Sequence, residues 1–402
     1  MLAPYQPYSS CEGSIMQMPE NAVRLSGDPR TRGIQHGRKL ARQIKYLLSD
    51  DCARINCHLS RPVPEEQIYA YVREFALEIE RELPLIAAEI EGLSEGAEIS
   101  YQQAVLLQVR REILMHLRKG ANSDCSTFSL PINKRVVAQT IDLNSSFAEF
   151  GTVFQIEPWR SSPEILMFSF AGLLGYMGMN SSGLAIAINM VSSDDWRPGV
   201  PPYLLVRRLL ELHTVEECLE AIANIRRSSS RSFTICDPKR SVTVEMTATS
   251  FAVLEGKELL HTNHYLSPDL TPKDTINFLA RHSSMQRLAK LRVLTQSLPE
   301  SPAVSELFNL FANHENHPVG LCSHADGDLR RTETVATVVM HPATGTMYVR
   351  KGLPCCDRGI ERFTMASIDV KPDIQVIASA THKARDCRHY LAPDAQFENV
   401  VQ

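Results

Sequence analysis

The sequence predicts a layered α+β fold in which antiparallel sheets lie between helical layers. Three observations lead there. Apolar residues recur at helical spacing through the first third of the chain. After Cys125 the texture turns abruptly to short β-branched and aromatic runs, and later blocks of strands alternate with pairs of helices. Paired helices between strand blocks argue against repeated βαβ units.

Taken in order, Leu40, Ile44, Leu47 and Leu48 and then Ile68, Tyr71, Phe75, Ile79 and Leu83 mark a mostly helical region over residues 33–117. Ser100 with Gln103 three positions later reads as a capping box opening a helix that stops near Gly120. The runs STFSL, RVVAQTI, TVFQIEP, EILMFSF and LAIAINMV follow as strands, separated by Pro, Gly, Asn and Ser. PPYLLVRRLLEL and VEECLEAIANI are the next helices, the second opened by Thr214 and Glu217 as another capping box. Strands return in SFTICD, SVTVEMT, FAVLEG and ELLHTNH. A helix around DTINFLARHSSMQRLAKLRVL precedes a closing hairpin, TVATVVMHPATGTMYVRKG, whose turn carries Pro342 and Gly345. The 25-residue N-terminal lead and the tail after about Lys383 read as loosely ordered.

Of the 402 residues 44% are hydrophobic and 22% charged, the balance of a folded globular chain. A net charge of −4 without any long basic run makes nucleic acid a poor partner. No run approaches the roughly 18 apolar residues of a membrane helix, and the N-terminus lacks a signal-peptide pattern. The expectation is a cytoplasmic protein with no membrane association. Ten cysteines without a CxxC pair argue for reduced thiols. Neither Cys355 with Cys356 nor Cys52 with Cys57 has a matching His/Cys group at zinc spacing, so no metal and no cofactor are expected.

Cys125 carries the most information. Asn122, Ser123 and Asp124 form a polar turn before it, and a hairpin folded at Pro131 to Lys134 brings TIDLN back beside it. A carboxylate then lies near both the thiol and its own backbone nitrogen, the arrangement an N-terminal nucleophile requires.

The pieces RTRGIQHG, EIEGLSEGAEIS, DCSTF, TIDLN, GYMGMNSSGLAIAINM, HTNHYLSPD and TVATVVMHPATGTMYVRKGLPC stand in the order of the isopenicillin N acyltransferase family. The chain resembles this branch of the N-terminal nucleophile hydrolases over roughly residues 24–360. The resemblance implies a four-layer αββα sandwich and self-cleavage between Asp124 and Cys125. Residues 1–124 become a mostly helical chain within the same fold, and 125–402 a catalytic chain headed by Cys125. The freed α-amine, with an ordinary pKa of about 7.7–8.0 against about 10.4 for lysine, serves as general base near neutral pH. Asp142 matches the aspartate that orients this amine, and Asn263 the asparagine that donates to the oxyanion. Many relatives have glycine where Asp124 stands, so the carboxylate either assists cleavage or slows it.

The implied partners are a small-molecule acyl amide or acyl-CoA-type substrate and the chain's own cleaved N-terminal piece. Transfer to an amine and hydrolysis share the acyl-enzyme, so the motifs leave both open. Two rivals stand beside this reading: an uncleaved amide hydrolase using His261 or His264 as base, and a non-catalytic binding protein in which Asp124 is the lesion. Glu245 is either on a solvent face or buried and paired. Cys322, Ser323 and His324 read as a pocket wall or loop, and Arg330 and Arg331 as solvated.

Overall fold

The computed structural model describes residues 22–49, 51–118, 125–325, 332–356 and 358–366. The chain begins with β1 (Val23–Leu25), α1 (Pro29–Ser49), α2 (Asp51–Arg54), α3 (Glu65–Glu82), α4 (Pro84–Ala97) and α5 (Tyr101–Arg118). Next come β2 (Thr127–Leu130), β3 (Val136–Asn144), β4 (Gly151–Ile156), β5 (Ile165–Phe170), β6 (Met177–Asn180) and β7 (Ala185–Asn189). Then follow α6 (Pro202–Leu209), α7 (Val215–Asn224), β8 (Arg231–Cys236), β9 (Ser241–Met246), β10 (Phe251–Glu255) and β11 (Leu259–His261). The fold ends with α8 (Phe278–Gln296), α9 (Val304–Phe311), β12 (Thr332–His341), β13 (Thr346–Lys351) and β14 (Glu361–Thr364).

These strands make two sheets. One has eight strands in the order β1-β4-β5-β6-β7-β8-β9-β10, the other six in the order β11-β2-β3-β12-β13-β14. Among the described residues every strand pairing is antiparallel except that of β1 with β4.

Alternation along the six-stranded sheet explains the layers. Val137, Ile141, Val338 and Met340 face the core shared with the eight-stranded sheet and with α1 and α3 to α7. Val136, Ala138 and Val339 face the opposite way, onto Leu291 of α8 and Leu307, Phe308 and Phe311 of α9. Each face is apolar, so the sheet is covered on both sides and the architecture is the expected αββα sandwich. Between the sheets the buried amide of Gln139 on β3 donates to the Ile188 carbonyl (2.6 Å) and accepts from the Ile188 N–H (3.0 Å).

The helical motifs of the N-terminal third acquire a physical meaning here. α1 crosses α4 so closely that a Cβ on Gly33 would lie 2.0 Å from the Glu89 carbonyl oxygen, and one on Gly92 2.0 Å from that of Arg30. Gly37 and Gly96 make similarly close backbone approaches. Thus GIQHG and GLSEG are a matched pair of small-residue faces.

This segment is also locked into the rest of the fold. β1 pairs with β4, Glu89 of α4 meets Arg207 of α6 (2.9 Å), and Glu112 of α5 meets Arg231 of β8 (2.7 Å), all four side chains being buried. Breaking such a pair by removing one partner costs about 3–5 kcal/mol.

Both capping positions behave as the spacing suggests at the N-cap. Ser100 and Gln103 exchange hydrogen bonds in full (3.1 and 2.9 Å). Thr214 caps Glu217 N (3.2 Å), but the Glu217 carboxylate reaches back to His213 N rather than Thr214. Short α9 and β14 and the parallel β1 were not anticipated, because a two-turn helix and three- or four-residue strands carry too few periods to stand out. The N-terminal lead before residue 22, the tail, the cleavage residue Asp124 and Arg330 and Arg331 lie outside the described residues.

Candidate active site

Cys125 stands at the open end of the β2–β3 hairpin, whose turn is the 3₁₀ segment Ile132–Lys134. The pairing continues past the strand end: Ser126 N donates to Thr140 Oγ1 and Thr140 N to Ser126 O, both 3.0 Å. That register sets Cys125 opposite Ile141, next to Asp142. The cysteine is 3% exposed.

Its backbone is held from three elements. Cys125 N donates to Asn263 Oδ1 (2.8 Å), and Cys125 O accepts from Arg287 Nη1 of α8 (2.9 Å) and Asn189 Nδ2 of β7 (3.3 Å). Arg287 also donates to Ser126 Oγ (3.1 Å) and, through Nη2, to Asn263 Oδ1 (2.9 Å). Two donors therefore converge on one atom of the Asn263 side chain, which must be its oxygen. The amide nitrogen turns the other way and donates to Met190 O (3.1 Å).

α8 is built to do this. Asn277 caps it through Ala280 N (3.0 Å), and the buried stripe Ser284, Arg287, Leu288, Leu291 faces the six-stranded sheet. Ser284 Oγ accepts from Asn263 N (2.7 Å), so the same helix positions the asparagine and the cysteine carbonyl.

Asp142 is fully buried on β3, and its Oδ1 accepts from Thr334 Oγ1 of β12 (2.7 Å). Thr334 Oγ1 in turn accepts from Ser323 N (3.1 Å). The β12 strand is irregular at this point, between Thr334 and Ala336.

Glu245 is buried and paired. Its carboxylate meets His261 Nε2 (2.8 Å) and accepts from Leu266 N (2.7 Å) and Ser267 N (2.8 Å). Burial pushes the carboxyl up, but the His261 hydrogen bond and charge together with these N–H groups outweigh it, leaving a net depression. The other His261 nitrogen faces the Thr262 carbonyl (2.8 Å), so both nitrogens of that ring are committed. His264 Nδ1 lies 2.7 Å from Ser284 Oγ, and burial, then the charges of His261 and nearby arginines, lower it to about 4.

A cavity of about 380 Å³ opens beside the hairpin, lined by Leu143 and Asn144, the two residues after Asp142, and by Ser283 of α8. Phe147, Phe170, Tyr176 and Tyr203 make an aromatic wall. Burial, then Tyr203 and the Cys125 thiol, push the Tyr176 phenol up. Arg110, Arg111 and Arg118 of α5 supply positive charge. Burial and the neighbouring Arg111 and Arg54 lower Arg110 to about 9, and burial with the four nearby arginines lowers His58 to about 4.

The structure thus brings Cys125 and Asn263 into direct contact and sets Asp142 one residue along from the cysteine's partner in the strand register. Arg287, Asn189 and the α5 arginines were missed by sequence reasoning. Nothing in an isolated arginine of a charged helix marks it; the Asn277-to-Arg287 spacing becomes meaningful only once α8 is docked.

An αββα sandwich of two such sheets is the fold of the N-terminal nucleophile hydrolases. The profile of the acyl-coenzyme A:6-aminopenicillanic acid acyl-transferase family matches residues 132–354, more than half of the chain, and the chain belongs to that family. It is similar to the 40 kDa form of acyl-coenzyme A:6-aminopenicillanic-acid-acyltransferase from Emericella nidulans, 24% identical over 365 residues, covering 88% of this chain and 98% of that protein. It is also similar to β-alanyl-dopamine/carcinine hydrolase of Drosophila melanogaster, 24% identical over 295 residues, 64% of this chain and 74% of that protein. Its relatives are therefore acyltransferases and amide hydrolases. Among solved structures, a cysteine-to-alanine mutant of conjugated bile acid hydrolase from Clostridium perfringens aligns with 14% identity and a TM-score of 0.43, over 60% of this chain and 92% of that one. Penicillin V acylase from Agrobacterium tumefaciens aligns with the same identity and TM-score, over 60% and 87%. Among the described residues no helix is long and apolar enough to cross a membrane.

Proposed function

We propose that this chain is a self-cleaving acyltransferase or amide hydrolase with Cys125 as nucleophile. The observation that carries the reading is the 2.8 Å contact between Cys125 N and Asn263 Oδ1: a buried nitrogen, held by a side chain 138 residues away, beside the thiol it would serve.

In the proposed cleavage the Cys125 thiol attacks the Asp124 carbonyl. The C–S bond forms as the C–N bond breaks, the released nitrogen takes the thiol's proton, and water opens the thioester to an Asp124 carboxylate and a free thiol. In turnover the α-amine removes the thiol proton, the thiolate attacks the substrate carbonyl, and the leaving amine or thiol takes the proton; an acceptor amine or water then gives its proton to the α-amine and takes the acyl group, and the released thiolate regains that proton. Asn263 keeps one N–H on Nδ2 beyond that given to Met190, and this is the donor assigned to the oxyanion. Asp142 supplies negative charge against the protonated amine. Arg287 is a positioning residue, fixing the cysteine carbonyl and the asparagine oxygen together.

The cavity suits an acyl amide or acyl thioester with an apolar body and an anionic end. Arg110, Arg111 and Arg118 line the cavity, and their positive charge favours a substrate carboxylate or phosphate. The commitment of both His261 nitrogens to Glu245 and Thr262 counts against that histidine as base for the cysteine.

The test is the intact mass of the full chain under denaturing conditions. Cleavage before Cys125 divides the 45.0 kDa chain into pieces of about 14 and about 31 kDa, in proportion to 124 of 402 residues. Both pieces, with Cys125 first in the larger and neither formed by Cys125→Ala, support the reading. A single active 45.0 kDa chain overturns self-cleavage.

A further inference from the structure

We propose that His314, Cys322, His324 and Cys355 form a tetrahedral zinc site that pins the cavity wall contributed by residues 314–324. One ligand atom from each of these side chains lies within 4.8 Å of all the others. His314 Nε2 and His324 Nε2 are 3.0 Å apart, and Cys322 Sγ and Cys355 Sγ lie 3.3 and 3.6 Å from His324 Nε2.

The three separations at His324 Nε2 are close to those of a coordination polyhedron. With Zn–N of about 2.0–2.1 Å and Zn–S of about 2.3 Å, a regular tetrahedron has N···N edges of about 3.3 Å and N···S edges of about 3.6 Å. The three edges that meet at His324 Nε2 fall within about 0.3 Å of those values, and all six are within 4.8 Å, so closure around an ion needs the remaining side chains to draw in. Hydrogen bonding explains the convergence less well. A ring nitrogen has one proton or one lone pair in its plane, so His324 Nε2 can satisfy only one of the three atoms gathered around it.

The donor set selects the metal. Two thiolates and two imidazoles in tetrahedral array suit zinc and exclude magnesium and calcium, which take oxygen ligands. Four protein ligands leave no open position, so the ion is structural and takes no part in acyl transfer.

The ligands come from three segments: the loop after α9, the lead into β12, and the turn after β13. Their backbones are already fixed. Cys322 N donates to Asn313 O (3.2 Å), Ser323 Oγ to Thr332 O (3.0 Å), and Arg350 Nη1 to Pro354 O (2.8 Å). Pro318, Val319, Ser323 and His324 line the cavity, and Ser323 N reaches Asp142 through Thr334. Losing the ion therefore loosens this part of the cavity wall. Spacing along the chain hides this site, since Cys355 lies 31 residues beyond His324.

The test uses the full chain purified without chelator. Elemental analysis is expected to find one zinc per chain, retained in Cys356→Ser and lost in Cys322→Ser/Cys355→Ser. Because the double variant can fail to fold, cobalt(II) is also exchanged into the unmutated protein, where thiolate-to-cobalt charge transfer and intense tetrahedral ligand-field bands are expected. Absence of zinc together with no cobalt–thiolate band overturns the proposal. So does zinc retained by a folded double variant, or a Cys322–Cys355 disulfide found by peptide mapping of the freshly isolated chain.

Discussion

Asn263 Oδ1 accepts the backbone N–H of Cys125 at 2.8 Å, while its Nδ2 points to Met190. Under the proposed mechanism one side chain would hold the nucleophile's nitrogen through its oxygen and offer the substrate a donor through its nitrogen. Asn263→Asp separates the two, because it keeps an acceptor for Cys125 and Arg287 and removes the donor. Turnover is expected to fall by about 10²–10³ with the fold retained, the usual cost of losing an oxyanion donor. A variant with near-parent kcat would show that the asparagine only positions the cysteine.

Arg287 reaches Cys125 O, Ser126 Oγ and Asn263 Oδ1 from one planar group that is 1% exposed. A lysine ammonium cannot span these atoms. Arg287→Lys is expected to lower stability by about 1–3 kcal/mol in urea unfolding, the cost of poorly satisfied buried acceptors. It should also lower kcat more than it raises KM. An unchanged urea midpoint would mean that the arginine is not needed to hold the site.

Much of the architecture was legible in the sequence for physical reasons. The period change at Cys125 is large, and the β2–β3 hairpin follows from a short polar turn between two β-branched runs. Asn263 was legible as a candidate site residue, but the bonds its oxygen accepts were not, because only the meeting of Cys125 N and Arg287 on one atom fixes the amide's orientation. GIQHG and GLSEG were legible as motifs without a cause, and the cause is a helix crossing that exists only in three dimensions. Glu245 illustrates a true ambiguity: alternation along β9 allows either face, and burial against His261 decides it.

The Glu245–His261 pair makes a pH prediction. A carboxyl whose folded pKa is depressed contributes stability that is fully present above its unfolded value, about 4.3. That contribution is lost as pH falls through the lower folded value. Glu245→Gln should flatten the acid limb of stability against pH, measured by urea unfolding in the window at and below the unfolded value. An acid limb as steep as the parent's would show that other carboxylates carry the dependence.

Gly92 tests the helix crossing. A methyl group there would start 2.0 Å from the Arg30 carbonyl oxygen, and backbone cannot move aside as a side chain can. Gly92→Ala favours the isolated helix by about 1 kcal/mol. Overpacking should nonetheless dominate, with a net loss of about 1–3 kcal/mol in thermal or urea unfolding. A more stable variant would mean that α1 and α4 separate without cost.

Arg111 tests the proposed anionic end of the substrate. Its Nε and Nη2 are buried and make no hydrogen bond among the described residues, although Arg110 beside it donates to the carbonyls of Ala53 and Arg54. The Arg111 guanidinium nonetheless lines the cavity, so an anionic group bound there would meet its positive charge in a partly desolvated setting. A charged hydrogen bond is worth about 1.5–3 kcal/mol, which converts to about 10- to 100-fold in affinity. For an acyl amide carrying a carboxylate or phosphate, Arg111→Met should raise KM by that factor and leave kcat near the parent value. For the same acyl amide with its anion replaced by a neutral group, KM should hardly change. Equal losses on both substrates would assign Arg111 to the shape of the wall and leave the anionic end of the substrate without its anchor.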